Sequence, residues 1–133
     1  MKTRYKRPDT KNAQSIIEAS QRDLQFTLTL MLTAASAPTI IRNIYESFRM
    51  LGDALLVKKG IVSQDHIAPI KELLKLSVNT SRPILLIDNL RILRHNIQYY
   101  GYVPKLVEAE DVLSLAKNCY APLFAEVSKQ IKH

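Results

Sequence analysis

A chain of 133 residues, 47% of them hydrophobic, is the size of one ordinary domain and can bury a core without covalent staples, so nothing calls for a second domain. The single cysteine, Cys119, excludes an internal disulfide, and the first residues lack the apolar core of a secretory signal, so a reducing, cytoplasmic compartment is expected. The formal net charge of +7 is uneven: Lys2, Arg4, Lys6, Arg7 and Lys11 against Asp9 put a net +4 in the first eleven residues and leave +3 for the rest.

Residues 1–10 read as a basic, flexible arm, and residues 11–133 as one helical domain. Such an arm can contact phosphates of a nucleic acid, and it is also the composition of a terminus charged for solubility. Few aromatics interleave with its cations, so no stacking platform is indicated. Asp9 or Thr10 can cap a first helix in which Ala13, Ile16, Ile17, Leu24, Leu28, Met31 and Ala35 recur at helical spacing, ending near Ser36. The span from Leu24 to Ile41 holds no charge and raises a membrane helix as an alternative. Its polar interruptions, from Gln25 through four threonines to Ser36 and Pro38, fit a buried helix running into a turn better, and no membrane contact is expected.

Ser36 and Pro38 restart the chain, and Ile41, Ile44, Tyr45, Phe48, Leu51, Leu55 and Leu56 mark a second helix. Gly52 inside it allows a close helix crossing, and Gly60 is a good stop. Ser63 or Asp65 caps a short third helix with Ile67, Ile70, Leu73 and Leu74 inward, where Pro69 is tolerable in the first turn. A loop over Ser77–Ser81 leads to a fourth helix, capped by Ser81 ahead of Pro83 and closed by Gly101. After a connector holding Pro104, the charges of Glu108, Glu110 and Asp111 open a fifth helix where its dipole favours them. Val112, Ala116, Cys119, Tyr120, Leu123 and Val127 give its inner face, and Pro122 is placed to kink it. No strand alternation of useful length and no internal repeat appears, so the expected fold is all-α, an up-and-down bundle of about five helices.

The fourth helix concentrates the unusual side chains. At about 100° per residue, Leu86, Leu90, Leu93, Ile97 and Tyr100 form one apolar arc, and Arg94 falls inside it, while Leu85, Ile92 and Tyr99 make a shorter strip on the opposite side. A helix apolar on two sides is expected to be covered on both, by the bundle or by a second subunit, with Arg94 near the seam. A guanidinium amid apolar neighbours needs a carboxylate, a phosphate or carbonyl oxygens to satisfy it.

No glycine-rich phosphate loop, no Cys-x-x-Cys pair and no His-Glu-x-x-His helix occurs, and His66, His95 and His133 share no ligand spacing, so neither a metal nor a cofactor is expected. Nothing marks a hydrolase nucleophile. The run Leu90-Arg91-Ile92-Leu93-Arg94-His95-Asn96-Ile97-Gln98-Tyr99-Tyr100-Gly101, with Val112-Leu113-Ser114-Leu115-Ala116-Lys117 beyond it, resembles the signature end of a HEPN domain. Upstream, Tyr45-Glu46-Ser47-Phe48, Ala54-Leu55-Leu56, Gly60 and Ser63-Gln64-Asp65-His66 resemble that family's second helix and the start of its third, so the likeness covers roughly Ala13 to Val127.

The resemblance implies a helical bundle, usually a homodimer, paired in many members with a minimal nucleotidyltransferase; other members are metal-independent RNases, some of them toxins of toxin-antitoxin pairs. The nuclease members use an arginine followed by a polar residue and, about one turn later, a histidine. Arg94 with His95 matches the first part, but the positions open to the histidine hold Tyr99, Tyr100 and Gly101, and Arg91 to His95 is one residue short of the spacing. Taking the 2′-hydroxyl proton of RNA needs a base titrating near neutrality, which an imidazole supplies and a phenol with pKa about 10 does not. In some nucleotidyltransferase-paired members a tyrosine near the motif accepts a nucleotide, which would make Tyr99 or Tyr100 the target.

The expected ligand-binding residues are therefore Arg91, Arg94, His95, Tyr99 and Tyr100, with Arg94, His95 and Tyr99 as the candidates for any catalysis and Lys2, Arg4, Lys6, Arg7 and Lys11 as a nucleic-acid arm. Each has a plainer account: an Arg94 ion pair with Asp53, Glu46 or Asp88, a solvated Arg91–His95 pair, Tyr100 as core packing, Tyr99 at an interface. The function expected is non-catalytic binding of a nucleotide, RNA or DNA by a dimer. The alternatives are an RNase with a variant R-x-x-x-x-Y site and a purely structural helical subunit.

Overall fold

In a computed structural model, which describes residues 3–5, 7–63, 65 and 67–132, the apolar positions of the second helix, α2 (Ala37–Lys58), form the spine that the other helices cover. Ile40, Ile41, Ile44, Tyr45, Phe48 and Leu51 are all fully buried. Against this helix pack α1 (Thr10–Thr27), α3 (Ile67–Leu74), α4 (Leu86–Tyr100) and α5 (Leu106–Ile131), with α5 also touching α1 and α4. One hydrophobic cluster runs through all five, which is the all-α bundle expected. Among the described residues no helix is long and apolar enough to cross a membrane.

The uncharged stretch after Leu24 does not continue as helix. α1 ends at Thr27, not near Ser36, and Met31 is 80% exposed. Hydroxyl groups compete for the backbone here: Thr27 Oγ1 donates to the Asp23 carbonyl at 2.8 Å, Thr29 Oγ1 to Phe26 at 2.6 Å and Ser36 Oγ to Met31 at 2.7 Å. Asp9 caps α1 as expected, accepting from the Asn12 amide at 2.9 Å, whereas Ser36 makes no side-chain cap for α2.

Gly52 permits the α2–α3 crossing for a visible reason: a Cβ there would overlap the Pro69 carbonyl. Asp65 caps α3, accepting from the Ile67 and Ala68 amides at 3.1 and 3.0 Å. Ile70 and Leu73 point inward, but Ile67, expected inward, is exposed in the first turn. α4 starts at Leu86 without a side-chain cap. Ser81, assigned that role from sequence, instead donates to Asn118 Oδ1 on α5, while Pro83, Ile84 and Leu85 carbonyls lead in with short turns. Gly101 closes α4 in the left-handed region, at φ 65°.

A feature without sequence foretelling is a two-stranded antiparallel pair. β1 (Thr3–Tyr5) pairs with β2 (Ile61–Ser63) in the register Thr3 with Ser63 and Tyr5 with Ile61. The expected arm thus contributes a strand, and three residues are too few for alternation to show.

α4 is covered on one face only. Ile87, Leu90 and Ile97 are buried, and Leu86 and Leu93 are half-buried. The opposite strip of Leu85, Ile92 and Tyr99 is exposed, and Tyr100, placed on the core arc by periodicity, is 76% exposed. The helix ends at Tyr100, and Ile97 is its last buried residue.

Candidate anion-binding site

Arg94 lies where α4 crosses α2. Its Cζ is 5.4 Å from the centre of the Tyr45 ring on α2 and 5.7 Å from that of Tyr99, five residues on along α4. Tyr45 is fully buried and Tyr99 is 59% exposed, so the guanidinium is layered between the core and an outer ring, the arrangement in which aromatic faces attract a cation. His95 lies tilted against the same outer ring, 4.8 Å centre to centre at an interplanar angle of 47°. Together with Arg91, these side chains line a cleft of about 270 Å³ whose remaining wall comes from Asp65 and Ile67 at the start of α3.

The ion pairs proposed for Arg94 from sequence are not formed. Glu46 and Asp53 both bind Arg49, one turn either side of it on α2. Asp88 pairs with Arg91 at 2.9 Å. Arg82 takes Asp111 on α5 at 2.9 Å, and Arg42 reaches Thr39 Oγ1 at 3.5 Å. Among the described residues, Arg94 is the half-buried arginine with no carboxylate within ion-pair distance and no hydrogen-bond acceptor on its N–H groups. Those N–H groups are available to an oxyanion through charge-assisted hydrogen bonds.

Arg91, His95 and Asp65 set the cleft's field. The Arg91 charge is offset by Asp88, and the Asp65 carboxylate is turned onto the two α3 amides it caps. Burial pushes the Tyr45 phenol up to about 12, against the lowering pull of Arg94, Arg49 and Arg91. The Tyr45 hydroxyl therefore stays protonated near neutrality and offers no base. No group of three His, Cys, Asp or Glu side chains among the described residues could hold a metal ion.

Four of the five ligand-binding residues expected from sequence, Arg91, Arg94, His95 and Tyr99, are brought together. Tyr100 is not: it stands outside the cleft with its edge to the His95 ring at 5.6 Å. Sequence reasoning placed Tyr45 in the core, which is correct, but missed that its ring carries Arg94, because helical periodicity fixes the buried face and not its partner. Of the arm, Arg7 and Lys11 are exposed, Arg4 lies in β1, and Lys2 and Lys6 fall outside the described residues, as do His66 and His133.

A larger cavity of about 420 Å³ separates α4 from α5. Its walls are chiefly Leu86, Leu90, Leu93, Val107 and Leu115, with Glu108 and Asp111 at the rim and no cation. Size favours it and chemistry does not: against an anion it sets two carboxylates, and its donor side chain is the neutral amide of Asn89. Comparison with known protein families, curated proteins and solved structures finds no match for this chain.

Proposed function

We propose that the protein binds a nucleotide or a nucleic acid through the cleft around Arg94, as a non-catalytic, HEPN-like homodimer acting in the cytoplasm with a minimal nucleotidyltransferase. The observation that carries the binding reading is Arg94 itself, half-buried, held by two tyrosine rings and left without an anionic partner among the described residues. Pairing of two copies is supported by the uncovered strip Leu85, Ile92 and Tyr99. Apolar side chains aligned along one helix face are the usual mark of an interaction surface.

Titration of the purified protein with ATP and with short RNA and DNA oligonucleotides tests the binding. Saturable association that Arg94→Ala weakens by about tenfold or more, the scale of one charge-assisted contact, is the expected result. No saturable association would favour the structural-subunit reading.

A second reading has one observation in its favour. His95 shares the cleft with Arg94 despite being its sequence neighbour, and an imidazole beside a guanidinium is a pair that metal-free RNA cleavage could use. Incubation with mixed RNA in chelator decides it: Arg94-dependent cleavage establishes the RNase, and intact RNA supports the non-catalytic protein.

A further inference from the structure

We infer that Arg94 is a fixed, edge-on fork for a single phosphoryl group and that Tyr45 is its positioning residue. This rests on the binding function proposed above and adds how the anion is gripped. A guanidinium is planar, with every N–H in its plane, and an aromatic face meets such a cation without accepting in-plane hydrogen bonds. The Arg94 Cζ lies over the Tyr45 and Tyr99 rings, 5.4 and 5.7 Å from their centroids. Rings met in this way accept none of the in-plane N–H groups and leave them for oxygen acceptors.

Arg49 is closed by two carboxylates and Arg82 by the Asp111 side chain and carbonyl, while Arg91 gives its Nε to Asp88, Arg42 reaches the Thr39 hydroxyl, and Arg7 and Arg22 are exposed. Arg94 therefore presents the geometry that takes two oxygens of one phosphoryl group through parallel N–H···O bonds, which a lysine ammonium cannot reproduce. The two rings are not equivalent. Tyr45 is fully buried on the spine helix, while Tyr99 is more than half exposed on the same helix as Arg94. The inner ring is the one fixed by packing, so it sets the plane of the fork.

Isothermal titration of the full chain with ATP, inorganic phosphate and acetate tests this, using Arg94→Ala, Arg94→Lys, Tyr45→Phe and Tyr45→Leu. Arg94→Lys is expected to lose affinity for ATP nearly as far as Arg94→Ala, by about tenfold or more, because a point charge does not replace a fork. Tyr45→Phe keeps the ring and should stay within about threefold of wild type, with Tyr45→Leu falling toward Arg94→Ala. Since Tyr45→Leu removes a core ring and can unfold the chain, the Arg94 Nε–Hε resonance of the ligand-free protein gives an independent reading. Ring currents should shift it upfield in wild type and in Tyr45→Phe alike.

An unshifted resonance or wild-type affinity in Arg94→Lys overturns the fork, and acetate bound as well as phosphate overturns its assignment to a phosphoryl group; each leaves the binding function standing. A wild-type protein that binds neither ATP nor oligonucleotide overturns the function and the fork with it.

Discussion

Arg49 and Arg94 lie on neighbouring helices and are stabilised in opposite ways. Arg49 bridges Glu46 and Asp53 along α2, and Arg94 leans on aromatic rings. Replacing Arg49 by methionine removes the cation that neutralises two partly buried carboxylates and should cost ~1–2 kcal/mol of unfolding free energy. Arg94→Met breaks no ion pair and should stay within ~1 kcal/mol of wild type. Urea titrations of the two variants check this, and the reverse order would mean that Arg94 is structural. The Glu46-Arg49-Asp53 spacing of three and four residues is legible in the sequence as one helix face, whereas the partner of Arg94 lies on another helix, which spacing along one chain segment does not reveal. Gly52 was read correctly. Its close approach to Pro69 predicts that Gly52→Ala destabilises by about 3 kcal/mol through backbone overlap, and an unchanged urea midpoint would show that the crossing relaxes freely.

At the scale of the elements, α1, α2 and α5 meet in a buried polar knot that periodicity could not announce. Ser20 Oγ donates to the Ser47 carbonyl at 2.6 Å and lies 2.7 Å from the Tyr120 hydroxyl, from which it can then accept. Ser20→Ala strands the Tyr120 hydroxyl in the core and should cost ~1–3 kcal/mol, more than Tyr120→Phe, which removes the group instead. A double-mutant cycle by urea denaturation measures the coupling, and additive effects would contradict the bond. Burial also pushes Tyr120 up to about 12, opposed by the Ser20 hydrogen bond, and Tyr45 likewise stands at about 12. A phenol in the unfolded chain ionises near pH 10. The stability these groups contribute is therefore complete below pH 10 and is lost as pH rises through 12. Melting curves between pH 9 and 12 should show that loss, with a shallower fall in Tyr120→Phe than in wild type.

Helix faces were legible because burial follows a period of 3.6 residues. Helix ends were legible only where a cap has a local signature, as at Asp9, Asp65 and Gly101. Ser81 failed as a cap because Asn118, distant in sequence, claims its hydroxyl. Tyr100 failed as core because the period continues on paper after the underlying core has ended.

Across the whole molecule, most of the large apolar residues left exposed fall in one stretch of chain from Leu85 to Val107, covering α4, its connector and the start of α5. If this is where two copies meet, Ile92→Glu should convert a dimer to a monomer in analytical ultracentrifugation while leaving the circular dichroism spectrum intact. A wild-type monomer at tens of micromolar, the range of a weak specific interface, would remove the dimer from the account. The basic arm belongs to the same scale. Deleting it would also remove β1 and the Asp9 cap, so neutralising Arg7 and Lys11 to glutamine is the cleaner change. It should lower the salt slope for single-stranded RNA by up to ~1.4, about 0.7 per phosphate contact. An unchanged slope would assign nucleic-acid contact to the cleft alone.

The central claim is that the Arg94 cleft receives the ligand. Chemical-shift mapping of a short RNA on the isotopically labelled protein tests it most directly. The account predicts saturable shifts centred on Tyr45, Arg91, Arg94, His95 and Tyr99; shifts confined to the neighbourhood of Arg7 and Lys11, or none at all, would contradict it.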